Sequence, residues 1–103
     1  MILLAGPKHL TAIINGNATA TIRRGVRLIE IGETIVFKSN VEGDKREVIK
    51  TCTRVAVTQA KAFTSEDMLA AGLYEQLEPS WEVLNEVYPE AKQRDIFTVI
   101  YFE

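Results

Sequence analysis

Met1-Ile-Leu-Leu4 is an unbroken apolar run with the length of a short buried strand. From Pro7 the period lengthens, and Leu10, Ile13 and Ile14 fall at i, i+3 and i+4 on one face of a short helix. Pro7 suits the first turn, where its missing N–H has no helical partner anyway. Asn15-Gly16 ends the helix with residues that tolerate a left-handed backbone. Residues 18–24 alternate, which predicts a strand with Thr19, Thr21 and Arg23 on one side. That polar row must face either solvent or a polar cavity. Gly25 bends the chain. Residues 28–31 and 34–37 read as strands joined by a turn at Gly32-Glu33, and residues 40–44 form a second turn. Residues 46–61, with Val48, Ile49, Thr51, Thr53, Val55 and Val57, are β-rich but too long for one typical strand, so a bend or bulge is expected.

The pattern then becomes helical. Thr64 or Ser65 caps a helix whose first turn holds Glu66 and Asp67, acids favourable at its positive end. Met68, Leu69 and Ala71 supply its packing face, and Gly72 stops it. A further helix runs from Pro79 to Tyr88, with Trp81, Leu84, Val87 and Tyr88 inward, and Pro89 ends it. Residues 96–102 form a strong closing strand. The order β-α-β-β-β-α-α-β predicts an α+β fold: a small barrel or curled sheet of five to six strands with two to three peripheral helices.

At 103 residues, 47% apolar and 25% charged, this is one ordinary globular domain spanning 1–103. Size scaling lets it bury roughly two-thirds of its unfolded surface, enough for a core without staples. A single cysteine, Cys52, excludes an internal disulfide and any Cys-rich zinc site, and a single histidine, His9, excludes His-cluster metal sites. No metal or cofactor is expected. No apolar run reaches the roughly 20 residues of a membrane helix. The first residues are too short for a signal-peptide core and lack a basic leader, so a soluble cytoplasmic domain is expected.

Charge is divided by halves. Residues 1–61 hold 10 Lys/Arg against 5 Asp/Glu, and residues 62–103 hold 2 against 9, which together give the net −2. The basic half points to an anionic ligand such as phosphate or nucleic acid. The plainer alternative is that strand surfaces carry Lys and Arg while exposed helix faces carry Glu. The net acidity argues against generic nucleic-acid binding, which goes with a pI above ~9, so any binding should be local.

Three stretches resemble the ASCH family, small domains similar to the PUA domains of RNA-modifying proteins. They are Ile13-Ile-Asn-Gly-Asn-Ala-Thr-Ala-Thr-Ile-Arg-Arg24, Ile31-Gly-Glu-Thr-Ile-Val-Phe37 and Thr64-Ser-Glu-Asp-Met-Leu-Ala-Ala-Gly-Leu73, followed by Trp81, Tyr88-Pro89 and Thr98-Val-Ile-Tyr-Phe102. The resemblance implies a PUA-like β-barrel with a helix-lined cleft. Some bacterial members of this size are amidohydrolases that deacylate acetylcytidine nucleosides. Their pattern Gly-x-Lys-Thr-x-Thr-x-Arg, with a Glu before a helix-ending Gly, implies a catalytic Lys, Thr and Glu. Here Thr21 and Arg23 match, while Ala18 stands in place of the lysine and Ala71 in place of the glutamate. A threonine hydroxyl without a neighbouring base is a poor nucleophile. Thr21 is the one match to the catalytic set.

The expected ligand contacts are therefore Thr21, Arg23 and Lys8, and the expected partner is RNA or a nucleoside bound without efficient catalysis. Arg23 lies on Thr21's side of the strand, whereas Arg24 points to the other face and is better read as solvated or paired with an acid from the second half. Lys8 and His9 at the helix start have the alternative of a solvated, exposed pair. Cys52 reads as a buried structural thiol. Trp81, Tyr88, Phe97 and Tyr101 read mainly as core, with Tyr88 or Tyr101 as the exceptions that could stack on bases. Glu75, Glu78, Glu82 and Glu86 read as a solvated face. Two other functions stay open: an amidohydrolase with a rearranged site, drawing on Glu66, Asp67, Glu75 or Lys8, and a protein-interaction domain.

Overall fold

The computed structural model describes residues 1–59, 62, 64–71, 88–92 and 94–103. Five strands form one sheet: β1 (Ile2–Ala5), β2 (Ala20–Arg24), β3 (Thr34–Ser39), β4 (Glu47–Gln59) and β5 (Ile96–Phe102), in the spatial order β1-β3-β4-β5-β2. β1 runs parallel to β3, and every other pairing is antiparallel. α1 (Pro7–Ile14) lies against the sheet, and the shorter α2 (Ser65–Ala70) follows β4.

The expected bulge in the long strand is what curls the sheet. β4 pairs with β3 through Thr51, then with β5 from Cys52 onward. Phe102 stands opposite Cys52 and Tyr101 opposite Arg54, which leaves Thr53 as the extra residue. An inserted residue bends its strand and tightens the local twist. The sheet becomes a half-barrel, and its outer strands β1 and β2 come close enough for Arg23 Nη1 to donate to the Leu4 carbonyl at 2.6 Å.

β5 is buried on both faces, as its unbroken apolar run requires. Ile100 and Phe102 join Leu3, Ala5, Leu10, Ile13, Ile35 and Phe37 in a core under α1. Phe97 and Val99 face the other way and meet Ala20, Ile22, Ala71 and Ala91 in a second core. α1 begins at Pro7 and delivers Leu10 and Ile13 to the first core, but Ile14 is exposed. Thr64 caps α2 through a reciprocal pair: the Asp67 N–H donates to Thr64 Oγ1 at 3.1 Å, and the Thr64 N–H to Asp67 Oδ2 at 3.2 Å.

The sheet holds five strands because residues 28–31 are not one, which corrects the sequence reading. β3 already has β1 on one edge and β4 on the other, so the apolar segment just before it cannot fold back onto β3 as a hairpin partner. Leu28 is left 87% exposed. The turn at Gly32 is real: its φ of +91° is a conformation glycine adopts freely, and its N–H donates to the Cys52 carbonyl at 2.8 Å. The helix expected from Pro79 lies outside the described residues except for Tyr88, and so do Trp81, Glu75, Glu78, Glu82 and Glu86. Among the described residues no helix is long and apolar enough to cross a membrane.

Candidate functional site

Alternation along β2 sends Ala20 and Ile22 into the second core and turns Thr21 and Arg23 toward α1. Thr21 is 1% exposed, so its hydroxyl must be hydrogen-bonded inside the protein. Arg23 Nε donates to Thr21 Oγ1 at 3.0 Å, and His9 Nε2 from α1 lies 3.2 Å from the same oxygen. The Thr21 hydroxyl, accepting from the guanidinium, can give its own proton to His9 when the imidazole carries its hydrogen on Nδ1. Three side chains from two elements thus converge on one oxygen.

The electrostatics fix the protonation state. Burial, and then repulsion from Arg23, lower the His9 pKa from 6.5 to about 4, so the ring is neutral at pH 7. Burial also lowers the Arg23 pKa, opposed by Tyr88 and reinforced by Arg27, yet the guanidinium stays charged. His9 binds its proton more weakly folded than unfolded, so the unfolded chain takes up more protons between pH 6.5 and about 4. Stability should therefore fall as pH drops through that window, and His9→Gln should flatten the fall. Urea midpoints measured across pH 4–7 check this.

A second buried threonine shapes the mouth of the site. Thr98 stands directly opposite Arg23 across the β2–β5 pairing. Its hydroxyl donates to the Gly25 carbonyl at 2.7 Å and accepts from the Arg27 N–H at 2.9 Å. Gly25 has a φ of +82°, which lets the chain turn sharply out of β2 and places Arg27 beside Arg23. Thr98→Val keeps the shape but leaves the Arg27 N–H and Gly25 carbonyl without this partner, and should cost about 1–3 kcal/mol, read from the urea midpoint. Tyr88 packs on the second core beside β2. Its hydroxyl donates to the Ile22 carbonyl at 2.9 Å, and its ring meets Phe97 edge-on at 5.2 Å.

Of the residues singled out from sequence, Thr21 and Arg23 come together. Lys8 is exposed, without a hydrogen bond to either, and the side chain α1 brings to Thr21 is its neighbour His9. Arg24 donates to Asp95 at 2.9 Å, an acid from the second half of the chain. Ala18 and Ala71 are buried methyl groups in the first and second cores. Asp67 accepts from the Tyr101 hydroxyl on the face of β5 opposite Ile100, the residue paired with Thr21. It is thus held away from Thr21, and Glu66 is exposed. Burial and then Asp67 push the Tyr101 hydroxyl up to about 12, and the Arg54 guanidinium lies 4.0 Å above its ring. Burial likewise pushes the Cys52 thiol up, away from nucleophilic character. Among the described residues no three His, Cys, Asp or Glu side chains are grouped to hold a metal ion.

The residue sequence reasoning set aside is His9. Its signal was the i, i+4 spacing to Ile13, which puts it on the inward stripe of α1 with Leu10 in place of Ile14.

No protein-family model matches the sequence, and neither does any curated protein. Solved structures do match. An ASCH protein from Zymomonas mobilis superimposes with a TM-score of 0.75 at 17% identity over 99% of this chain. The fold is that of ASCH domains. An ASCH domain from Lactobacillus crispatus JV V101 matches with a TM-score of 0.69 at 13% identity, covering 93% of this chain and 69% of that one. A DUF984 protein from Enterococcus faecalis V583 matches at 0.65 and 16% identity, covering 93% of this chain and 69% of that one. The chain spans 65% of the length of the Zymomonas ASCH protein. On the ASCH fold of this chain, the Thr21 hydroxyl meets an imidazole and a guanidinium.

Proposed function

We propose that this chain is an RNA- or nucleoside-binding ASCH domain that reads its ligand with Arg23, which the buried Thr21 hydroxyl orients, and does not catalyse efficiently. The observation that carries the reading is the state of Arg23. Its Nε and Nη1 are fixed by Thr21 and Leu4, no carboxylate pairs with it among the described residues, and its Nη2 has no hydrogen-bond partner there. A pre-oriented guanidinium with free donors matches a phosphate or a base edge. Arg23 lies where the outer strands β1 and β2 approach each other, bridging them through the Leu4 carbonyl. Electrostatic binding of RNA predicts affinity that falls steeply with salt. Fluorescence anisotropy of a labelled single-stranded RNA at several salt concentrations tests it, and affinity indifferent to both salt and Thr21→Val would sink the reading.

One observation favours a second reading, the amidohydrolase with a rearranged site. His9 Nε2 sits on Thr21 Oγ1 where a general base would sit. Two observations weigh against it. A base with a pKa of about 4 is far from the neutral value that makes proton abstraction effective, and burial of Thr21 keeps its oxygen from an incoming carbonyl. Turnover of acetylcytidine abolished by Thr21→Val would reverse this preference.

A further inference from the structure

We propose that Arg23 and Arg27, with His9 beside them, form a subsite for a phosphate monoester, so that the site prefers a terminally phosphorylated RNA or a nucleotide to its unphosphorylated counterpart. The proposal rests on the reading of Arg23, oriented by Thr21, as the ligand site and names the group that binds there.

Its first support is how the arginines divide. Arg24 pairs with Asp95, Arg46 with Asp44, and Arg54 lies on the Tyr101 ring. Arg23, Arg27 and the exposed Arg94 have no ion pair among the described residues, and of these Arg23 and Arg27 are tied to one place by Thr98. They are nonetheless held near each other: Thr98, paired with Arg23 across the strands, anchors the Arg27 backbone. The Arg27 charge is one of the influences that lower the Arg23 pKa, after burial. The Arg27 side chain is exposed, free to bring its guanidinium to the same anion as Arg23, and an anion shared by two guanidiniums relieves their mutual repulsion. The Arg23 edge left open is Nη2: among the described residues no fully buried side-chain nitrogen or oxygen lacks a hydrogen-bond partner, so this unpartnered nitrogen is within reach of solvent.

The second support is the charge that the surroundings call for. From α1, His9 faces Thr21 and Arg23 of β2. From the β3–β4 connection, Arg46 grips the Pro7 carbonyl and Thr11 Oγ1 of α1, but it is already neutralised by Asp44. Lys38 of β3 and Glu47 of β4 pair with each other, and Lys8 on α1 itself is exposed. Among the described residues, the charge that acts on the imidazole is the positive Arg23. A phosphodiester brings one negative charge to two guanidiniums, whereas a monoester brings nearly two and gives the imidazole reason to take a proton as a third donor.

The test uses two readouts on the intact chain. In the first, hexauridine ending in hydroxyls, the same RNA with a terminal phosphate, cytidine and cytidine monophosphate are compared for binding. The phosphorylated partner of each pair should bind roughly 10-fold tighter, and Arg27→Gln should erase that difference. In the second, the NMR titration of His9, the sole histidine, is followed with and without inorganic sulfate, which stays a dianion throughout. Its midpoint should rise by about one pH unit or more. Equal binding of phosphorylated and unphosphorylated ligands, with a His9 titration indifferent to sulfate, overturns the subsite even if RNA still binds in an Arg23-dependent way. A sulfate-dependent His9 shift and tight nucleotide monophosphate binding without RNA binding uphold the subsite and remove RNA as the ligand.

Discussion

Arg23→Gln is expected to lower affinity for single-stranded RNA roughly 10- to 100-fold, because a hydrogen bond to a charged group contributes about 1.5–3 kcal/mol net. The salt dependence should weaken as well, by about one unit of log–log slope if Arg23 meets a phosphate. Arg23→Lys separates charge from shape: it keeps the charge but loses the fork that joins Thr21 to Leu4, so it should recover only part of the affinity. Arg24→Gln is the control. Arg24 is the next residue along β2 but is bound to Asp95 on the other face, and its loss should change affinity by no more than about twofold. Anisotropy titrations at fixed salt give all three values, and urea melts of the same variants show whether any loss comes from unfolding.

Phe37→Ala should be the most damaging single change to the fold, at about 3–5 kcal/mol. Phe37 is fully buried in the middle of β3, and its ring lies 5.0 Å from Phe102 at a 55° tilt. It stands below Leu10 and Ile13 of α1 in one core, so the cavity would loosen the helix that carries His9 as well as the sheet. Set against a total stability of about 5–15 kcal/mol for a typical domain, this is enough to leave a marginal protein. The effect should appear as a lower urea midpoint with an unchanged slope. Leu28→Ala, on an exposed side chain, should stay within about 0.5 kcal/mol.

What was legible in the sequence follows the range of the forces involved. Alternation in β2 is a local property, and it placed Thr21 beside Arg23 and Arg24 on the opposite face. The bulge in β4 was legible because a 13-residue strand exceeds what a curled sheet accommodates straight. The capping pair at Thr64 and Asp67 was half visible, with the acid recognised for its charge rather than for its reciprocal hydrogen bond. Residues 28–31 misled because an apolar run records burial or pairing potential but not whether an edge is free. His9 was misjudged for a related reason. Helical spacing admits Leu10 and Ile13 with either neighbour, and only the approach of β2 to α1 decides that His9 turns inward and Ile14 outward. The contact between Arg23 and Leu4 joins strands distant in sequence and depends on the curl of the whole sheet, which no local pattern contains.

The central claim is that the ligand enters between β1 and β2 and meets Arg23. Titrating a terminally phosphorylated single-stranded RNA into isotope-labelled protein tests it most directly, with the Arg23 Nε–H, the Arg27 backbone N–H and the His9 ring observed by NMR. The account predicts that these three signals shift together and saturate at one concentration, while Ile2 and Ile49 on the outer face of the sheet stay in place. Shifts confined to that outer face, with Arg23 and His9 unmoved at saturation, would contradict it.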